Sequence, residues 1–520
     1  MQYLTYSGNS LLNASLPANA SVFFPPAALP GIATADIPAA VRRAFEQPLD
    51  MKPLRELVGA GSRVLVLFDD NCQPFPLMQK PDIRETCLEE LLAMLTSYGV
   101  REQDILLMCA VAIHRKMKPE EMRFMVGDRI FRDYWPDRLK NFDAEDPDDI
   151  VVAGTTDRGE PVETSRAVLE SDLVIYVDTV QIPLNGGHKS VAVGLSTYNS
   201  LRLHHAPQMT KDSPHVMQPR GSHMHTCIER LSRVLLSKAR IMVMEAAMNG
   251  ATYPPHMAFL GKPAERCNGL EKLLRAVTPG AMGLLPESAR SNIFKNLRSS
   301  YRPIEINAGA IDAVHARTLA ALQRQLAVKA ETEYDTLVFG LPDLSPYAVG
   351  TRINPVLVVS DVLGYIFNWF YDKPFVKKGG VVILLNPVYE FFHPEYHVAY
   401  RKFYDEVLPE TNDPFEMQTR FQERFARDPH LIDCYRNRYA HHGFHPFTVW
   451  YWATWPLRSL ARVIVVGPPN DRVTKRLGVD WSPNLAHALG KARELTGGDR
   501  VVALTVPPFL YLHQNGTGPS

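Results

Sequence analysis

The sequence predicts an α/β protein of two domains, each containing a mainly parallel sheet. Short apolar runs alternate with stretches whose apolar residues recur at helical spacing, which is the pattern of strand–helix–strand units. The chain has 520 residues, more than a single domain usually holds. A polar stretch at 291–302 lies between two such series. We therefore expect a boundary near residue 300, with domains at 1–300 and 301–520.

The predicted elements follow from these patterns in chain order. Residues 1–35 are rich in Ala, Pro and Ser, and we expect them to form an arm lying over the fold. Continuous apolar runs predict strands at 63–69, 105–113, 173–180, 241–245, 336–340, 381–385, 463–466 and 501–506. Helical apolar spacing predicts helices at 83–98, 161–169, 227–236, 308–328, 397–407 and 483–495.

The composition narrows the functional class. Lys+Arg and Asp+Glu both number 56, so the chain lacks the basic excess that neutralises phosphates, and we exclude nucleic acid as the main ligand. The six cysteines are far apart and form no CxxC pair, which is typical of reduced thiols in a cytoplasmic protein. We see no signal peptide and no apolar run near 18 residues, so we expect no membrane span.

Three loops that follow apolar runs contain residues suited to chemistry. Strand 63–69 runs directly into Asp70, Cys72 and Gln73, and ligands of open α/β sheets bind beyond the carboxyl ends of strands. The alternative is an Asx-type turn made rigid by proline. The next run ends at His114, whose imidazole can move a proton near neutral pH or can be an ordinary loop histidine.

The third loop contains a Gly-Gly pair followed by His188 and Lys189. The pattern of a phosphate-binding loop fails here, because His188 stands between Gly187 and the lysine and the required earlier glycine is missing. Glycines still allow the backbone to approach a ligand closely. The alternative is a glycine turn with a solvated lysine.

Other histidines do not match known zinc patterns. His393 and His397 could share a helical face, but the glutamate of HExxH is missing. The alternating groups at 223–227 and 441–445 lack the paired spacing of structural zinc sites. We expect the aromatic stretch 444–455 to form core or the wall of a pocket.

Taken in order, these loops resemble the nickel-dependent lactate racemase family over 60–240 and, more weakly, to about 465. The family has Asp-x-Thr-Arg-Pro, Gly-Thr-His-Arg, Gly-Thr-Pro-Val-Glu-x-Asn-Arg and Gly-Gly-Arg-Lys in this order. The matching positions are 70–74, 112–115, 159–166 and 186–189. The histidine that follows the family's lysine by sixteen residues falls on His205.

The resemblance implies a cofactor and roles for these residues. In the family, a lysine tethers a pyridinium-derived mononucleotide whose sulfur–carbon–sulfur pincer holds nickel, and cofactor-synthesis enzymes supply this group. By resemblance, Lys189 is the tether, His205 the nickel ligand and His114 an acid/base group. Asp70, Cys72 and Gln73 match the family's loop beside the cofactor. The active site is expected in the cleft between the two domains.

Departures from the family pattern bear on the substrate. The second acid/base histidine of the family is replaced by Thr179, so we expect His188 or His204 to substitute for it. An arginine of the family is replaced by Gln73, and a glutamine and a lysine of the family align with Leu357 and Ser360. These losses remove charge-assisted contacts to a small carboxylate, so we expect a substrate other than lactate, such as a sugar acid.

We therefore expect an isomerase that racemises or epimerises a 2-hydroxy acid, or a related carbinol, by reversible hydride transfer. One alternative is a stereospecific oxidoreductase that uses the same cofactor, because a single base suffices for the oxidation of one stereoisomer. Another is a nucleotide-binding protein without turnover. The sequence leaves open whether the chain forms a homo-oligomer.

Overall fold

The computed structural model describes residues 1–72, 76–213, 219, 221–330, 332–348, 351–368, 374–505 and 510–513. Two six-stranded, mainly parallel sheets form the core, as the sequence predicts. The strands of the described residues are β1 Gln2–Ser7, β2 Ser10–Ser15, β3 Ser21–Phe23, β4 Val64–Asp69, β5 Ile105–Ala110, β6 Leu139–Asn141, β7 Ile150–Thr155, β8 Pro161–Ser165, β9 Leu173–Val180, β10 Ile241–Met248, β11 Pro303–Gly309, β12 Ala327–Lys329, β13 Tyr334–Gly340, β14 Val376–Leu385, β15 Arg462–Val466, β16 Asp480–Ser482, β17 Val501–Leu504 and β18 Tyr511–His513.

Helices cover the sheets and connect their strands. The α-helices of the same residues are α1 Ile37–Glu46, α2 Leu54–Leu57, α3 Ile83–Ser97, α4 Pro119–Tyr134, α5 Arg166–Glu170, α6 Gly187–Val193, α7 Tyr198–His204, α8 Pro207–Thr210, α9 His223–Leu236, α10 Gly269–Leu284, α11 Glu287–Lys295, α12 Ile311–Leu326, α13 Pro355–Ser360, α14 Val398–Glu406, α15 Pro414–Met417, α16 Glu423–Ala426, α17 Pro429–Asn437, α18 His445–Trp452, α19 Thr454–Ser459, α20 Arg472–Arg476 and α21 Leu485–Thr496. Helix α13 continues into a π-helical turn at Asp361–Tyr365.

The first sheet has the order β11-β10-β9-β4-β5-β6. Its central strands are buried on both faces, which explains why they are continuous apolar runs rather than alternating ones. Strands β4, β5 and β9 are parallel, with Val64 opposite both Ile105 and Leu173. Their carboxyl ends therefore lie side by side, and the loops that follow them meet at one edge of the sheet.

The second sheet has the order β16-β15-β14-β13-β17-β3 and includes a strand from the N-terminus. The expected arm at 1–35 is wrong: β1 and β2 form an antiparallel hairpin, and β3 pairs in parallel with β17. Aromatic residues anchor this segment, since the buried Tyr3 donates a hydrogen bond from its hydroxyl to the Leu504 carbonyl at 2.5 Å. The Ala/Pro/Ser composition concealed these anchors.

Two further predictions differ from the structure. The predicted helix at 161–169 is a strand over Pro161–Ser165, paired with β7, and becomes helical only at Arg166–Glu170. The β-branched Val162 and Thr164 favour the strand, and the Ser165 hydroxyl caps the short helix. The predicted strand at 105–113 ends at Ala110, because the backbone turns at Ala112 with a φ of +47°.

The sheets do not divide the chain at a single residue. Strand β11 lies after residue 300 but pairs with β10 of the first sheet, whereas β3 belongs to the second sheet. The proposed units 1–300 and 301–520 thus exchange strands. No helix within the described part of the chain is long and apolar enough to cross a membrane.

Candidate active site

A cavity lies beyond the carboxyl ends of β4, β5 and β9. Four of the residues singled out in the sequence line it together, namely Asp70, Cys72, His114 and Lys189. Gln73, the fifth candidate of this group, lies outside the described residues. The edge of the sheet that the sequence indicated as the ligand-binding edge therefore brings the candidate loops into one site.

Asp70 and His114 form a hydrogen-bonded pair at the cavity. Nδ1 of His114 lies 2.8 Å from Oδ2 of Asp70, and Oδ1 of Asp70 accepts a hydrogen bond from the backbone N–H of Cys72 at 2.8 Å. Burial alone would raise the pKa of Asp70, but His114 and the Cys72 N–H together hold it below its ordinary value. An ionised Asp70 holds the proton on Nδ1, which leaves Nε2 of His114 to accept a proton.

A buried arginine that the sequence analysis missed shapes the loop after β4. Arg84 donates from Nη1 to the carbonyls of Asp69 and Asp70 at 2.9 and 2.7 Å. Its Nε and Nη2 also bind both carboxylate oxygens of Asp82, at 2.9 and 2.7 Å. Arg84 and Asp82 are almost fully buried, so this bidentate pair fixes the loop rigidly. A charged residue on the otherwise apolar face of α3 was the only sequence signal.

The Gly-Gly turn places Lys189 on the first turn of α6. Gly186 and Gly187 have φ values of +82° and +59°, which L side chains rarely adopt. The N–H of Gly187 donates to Oε1 of the fully buried Glu245 at 2.6 Å. His315 lies with Nδ1 at 3.2 Å from both Glu245 oxygens. The turn is therefore anchored to the centre of the first sheet.

The ε-amine of Lys189 is held in a partly buried, carboxylate-lined environment. Nζ lies 3.3 Å from Oδ1 of Asn185. Burial disfavours the ammonium form and lowers the pKa of Lys189, although the charges of Asp69 and Asp70 oppose this shift. Asp178 contributes less charge, because burial and the neighbouring Asp69 raise its pKa well above the ordinary value. A lysine with a lowered pKa has more neutral amine available as a nucleophile.

His205 lies behind the cavity and does not line it. Its Nδ1 is 2.6 Å from Nδ1 of His204, so one of the two nitrogens must carry the proton. Burial lowers the pKa of His205 well below its ordinary value, and the charges of His204 and Lys189 lower it further. The neutral imidazole is the form that ligates metals. The amine and the imidazole thus fit a lysine-tethered, nickel-bearing group.

Thr179 stands where the family has its second acid/base histidine, and His188 is one of the two residues, with His204, expected to substitute for it. Thr179 donates from its N–H and its hydroxyl to Oδ2 of Asp69, at 2.6 and 2.8 Å. His188 lies 2.9 Å from Ser232 Oγ through Nδ1 and 2.9 Å from Asp312 Oδ1 through Nε2. His188 points to the helices outside the cavity, and the expectation that it is catalytic lacks support from its position.

The positions aligned with the family's glutamine and lysine offer no charge to a substrate. Leu357 and Ser360 are buried in α13, and the Ser360 hydroxyl donates to the Val356 carbonyl one turn earlier at 2.9 Å.

Histidine and aromatic side chains from the second half of the chain pack against the site. The rings of His445 and Tyr347 lie 5.1 and 5.3 Å from the ring of His114, centroid to centroid. Trp452 lies 5.4 Å from His205. These residues confirm the expectation that 444–455 forms core or a pocket wall. Tyr347 and His445 were missed as site residues, because only the fold brings them to His114.

The ring of His441 is held by hydrogen bonds within the fold. His441 accepts from the Arg115 N–H through Nδ1 at 3.2 Å and lies 2.9 Å from the Tyr347 carbonyl through Nε2, so both nitrogens have partners. Among the residues with described positions, Asp70, Cys72 and His114 form the group whose ligand atoms lie within 4.8 Å of one another, close enough to hold a metal ion.

Comparisons with known proteins relate the chain to lactate racemase. Residues 8–217 match the family of the lactate racemase N-terminal domain. Lactate racemase from Thermoanaerobacterium thermosaccharolyticum is 20% identical over 176 residues, which make up 33% of this chain and 39% of that protein. The chain therefore aligns with well under half the length of this curated relative.

Solved structures extend the similarity to the whole fold. The lactate racemase apoprotein from T. thermosaccharolyticum superposes with a TM-score of 0.61 at 15% identity, covering 99% of this chain and 100% of that one. A protein from Thermotoga maritima gives a TM-score of 0.53 at 13% identity, with 93% and 99% coverage. The chain thus matches the lactate racemase N-terminal domain over residues 8–217 and shares the fold of the lactate racemase apoprotein.

Proposed function

We propose that the protein is a racemase or epimerase of a 2-hydroxy acid and uses a nickel-pincer nucleotide tethered to Lys189. One observation carries the proposal: a lysine with a lowered pKa and an Asp70–His114 pair line the same cavity. The first group suits covalent attachment of a cofactor and the second suits proton transfer.

In this proposal, Lys189 and His205 hold the cofactor. The amine of Lys189 would form the covalent link, and the neutral imidazole of His205 would ligate nickel together with sulfur donors, a donor set that suits this metal. When bound, the group would accept a hydride from the carbinol carbon of the substrate and later return it to that carbon. Cofactor-synthesis enzymes are the partners that would provide it, and we place this activity in the cytoplasm.

His114 and Asp70 handle the proton of the substrate hydroxyl. Nε2 of His114 accepts the proton while Asp70 stays ionised and stabilises the imidazolium that results. The His114 side chain is 28% exposed, which gives a substrate access to it. Arg84 holds the backbone on both sides of the Asp70 peptide, so the carboxylate keeps its position during proton transfer.

The charges around the cavity favour a substrate other than lactate. Asp69, Asp70 and Asp178 line it, and Lys189 is its one cation among the residues described. The guanidinium of Arg115 pairs instead with Glu121, at 2.8 and 2.5 Å. A small carboxylate would thus find little charge-assisted binding, whereas carboxylates bind hydroxyl groups well. We propose a polyhydroxylated acid, such as a sugar acid, as the substrate.

A stereospecific oxidoreductase on the same cofactor is the second candidate. Thr179 favours it, because the position that gives the family its second histidine carries a hydroxyl already bonded to Asp69. Oxidation of a single stereoisomer needs only one proton acceptor. The two candidates differ in one result: a racemase forms the other epimer, whereas this oxidoreductase does not.

Production together with cofactor-synthesis enzymes tests the proposal. We expect a mass increase on Lys189 by peptide mass spectrometry, bound nickel, and interconversion of D-gluconate and D-mannonate, which differ only at C2. Lys189→Ala should lose all three, while Lys211→Ala, at a partly exposed lysine that does not line the cavity, should keep them. A wild-type protein without adduct, nickel and epimerisation would contradict the proposal.

A further inference from the structure

The proposed racemase activity, on which this inference rests, needs a second proton-transfer group. The hydride is removed from one face of the carbinol carbon and returned to the other face. The hydroxyl groups of the two epimers therefore lie at two different positions in the site. His114 serves one of them. Thr179 offers no imidazole, both ring nitrogens of His188 are bonded outside the cavity, and Nδ1 of His204 is bonded to His205, the proposed nickel ligand.

We infer that His445 is the second proton-transfer residue of this site and is contributed by helix α18 of the second half of the chain. His445 and Trp452 are seven residues apart and therefore share one face of the helix. On that face, His445 lies 5.1 Å from the ring of His114 and Trp452 lies 5.4 Å from the ring of His205. The helix thus spans the proposed base and the proposed nickel ligand.

The hydrogen bonding of His445 resembles that of His114. The Tyr400 hydroxyl lies 2.7 Å from Nδ1 of His445, as Asp70 lies 2.8 Å from Nδ1 of His114. In both residues Nδ1 is held by a buried oxygen and Nε2 makes no hydrogen bond to the described part of the chain. Burial also lowers the pKa of His445 well below its usual range, so the ring is neutral in the free protein.

Two other buried histidines near His445, His441 and His397, already make hydrogen bonds within the fold through both ring nitrogens. His441 bonds the Arg115 N–H and the Tyr347 carbonyl. His397 accepts from the His393 N–H at 3.3 Å and lies 3.3 Å from the same Tyr347 carbonyl. Of the three buried rings, His445 therefore retains a ring nitrogen for a substrate.

The proton balance is simple. For one epimer the hydroxyl proton passes to Nε2 of His114, and for the other it passes to Nε2 of His445. In each case the bound cofactor would supply the acceptor for the C–H hydrogen and its electron pair, so that loss of both hydrogens gives the 2-keto acid. Reversal of both transfers gives the opposite epimer: the other histidine delivers a proton taken from water to the keto oxygen, and the first histidine releases its proton to water.

The test uses the cofactor-loaded enzyme with the Lys189 adduct verified by mass. The probes are three pairs that differ at C2, D-gluconate with D-mannonate, the two lactates and the two malates, and the pair with the highest wild-type turnover is used. We expect His445→Gln to lower interconversion by about 10²–10⁴-fold. One member of the pair should still give about one equivalent of its 2-keto acid per site, measured by hydrazine trapping, while the other should give none.

Two further variants distinguish a loss of proton transfer from a loss of stability. Tyr400→Phe keeps the aromatic packing but removes the hydroxyl on Nδ1, and it should give a smaller loss with the same preference for one epimer. His397→Gln removes a buried histidine of the same cluster and should lower the melting temperature without making keto acid formation depend on the epimer.

The outcomes distinguish the two hypotheses. If the loaded wild-type enzyme interconverts none of the pairs, the proposed racemase activity is rejected, and the proposed role of His445 is rejected as well. If the wild type is active and His445→Gln either interconverts the pair at the wild-type rate or loses keto acid formation from both members equally, the racemase stands and His445 is not its second base.

Discussion

Nδ1 of His114 lies 2.8 Å from Oδ2 of Asp70, across the loops that follow two neighbouring parallel strands. The pair joins residues 44 positions apart, and it exists because β4 and β5 end at the same edge of the sheet. A carboxylate on Nδ1 fixes the tautomer of the imidazole and stabilises its protonated form. This arrangement makes His114 the best-placed base of the described cavity.

Removing either member of this pair should lower turnover. We expect His114→Ala to reduce kcat of the cofactor-loaded enzyme by about 10²–10⁴-fold, the usual contribution of a positioned acid/base group. Asp70→Asn keeps the shape but removes the charge that stabilises the imidazolium, so it should lower kcat with a smaller change in KM. Steady-state kinetics measure both. Unchanged kcat in His114→Ala would mean that His114 is a structural loop residue.

Attachment of the cofactor and retention of nickel should depend on different residues. Lys189→Ala should abolish the covalent adduct, because no other amine lines the described part of the cavity. His205→Ala should keep the adduct but release nickel, since one imidazole ligand is lost. Peptide mass spectrometry and elemental analysis measure the two properties separately. Nickel content unaffected by His205→Ala would exclude His205 as the ligand.

Ala112 has a left-handed backbone, and replacing it should stabilise the fold. Its φ of +47° costs an L residue roughly 1 kcal/mol, which glycine avoids. The conformation is held by the Tyr435 hydroxyl, which donates to the Ala112 carbonyl at 2.8 Å. We expect Ala112→Gly to raise the free energy of unfolding by about 0.5–1 kcal/mol in urea titrations. Ala110→Gly, in the regular strand β5, is the control and should lower it.

The strands of both sheets were predictable because they are short apolar runs buried on both faces. Strand β9 matches its prediction at 173–180 residue for residue, since all eight of its side chains are buried. The N-terminal hairpin was missed for the opposite reason. Its anchors Tyr3 and Tyr6 are single aromatic residues in an Ala/Pro/Ser-rich segment, and they reach their partners only in the folded chain.

Part of the candidate site could be found from the sequence because its loops follow strands in a recognisable order. Asp70, His114 and Lys189 each stand at a fixed distance from an apolar run or a glycine pair. The supporting groups could not be found in this way. Arg84 and Glu245 are buried charges with no local pattern, and His445 reaches His114 from a segment more than 300 residues away.

The turn before Lys189 should not tolerate a side chain. A Cβ on Gly187 would lie 2.6 Å from the ring of His315, and the φ of +59° disfavours any L residue. We therefore expect Gly187→Ala to displace the start of α6 and to reduce the adduct on Lys189 under conditions that load the wild type fully. Gly159→Ala also has a positive φ but meets no atom within 4 Å, so it is the control for backbone strain alone.

The adduct on the Gly187→Ala protein is measured by peptide mass spectrometry, and its fold is checked by circular dichroism. A folded Gly187→Ala protein with full loading would show that the close packing of this turn does not position the lysine.

Asp361 should make the protein less stable as the pH rises, because it is a buried acid without a cationic partner in the described structure. Burial raises its pKa to about 7, opposed by the hydroxyl of Ser345. In the unfolded chain an aspartate has a pKa near 4, so the unfolded state releases this proton first. Stability from this group is therefore full below pH 4 and falls as the pH rises to about 7.

Replacing Asp361 by asparagine should remove this loss. We expect Asp361→Asn to match the wild type in free energy of unfolding at pH 4 and to exceed it at pH 8, by up to about 4 kcal/mol. Asp335 provides a control of opposite sign. Lys377 lies 2.5 Å from it, and despite burial this partner and Arg500 lower its pKa, so Asp335→Asn should destabilise the protein at pH 8. Urea titrations at the two pH values measure both variants, and an Asp361→Asn protein with no advantage at pH 8 would mean that Asp361 is solvated or paired in solution.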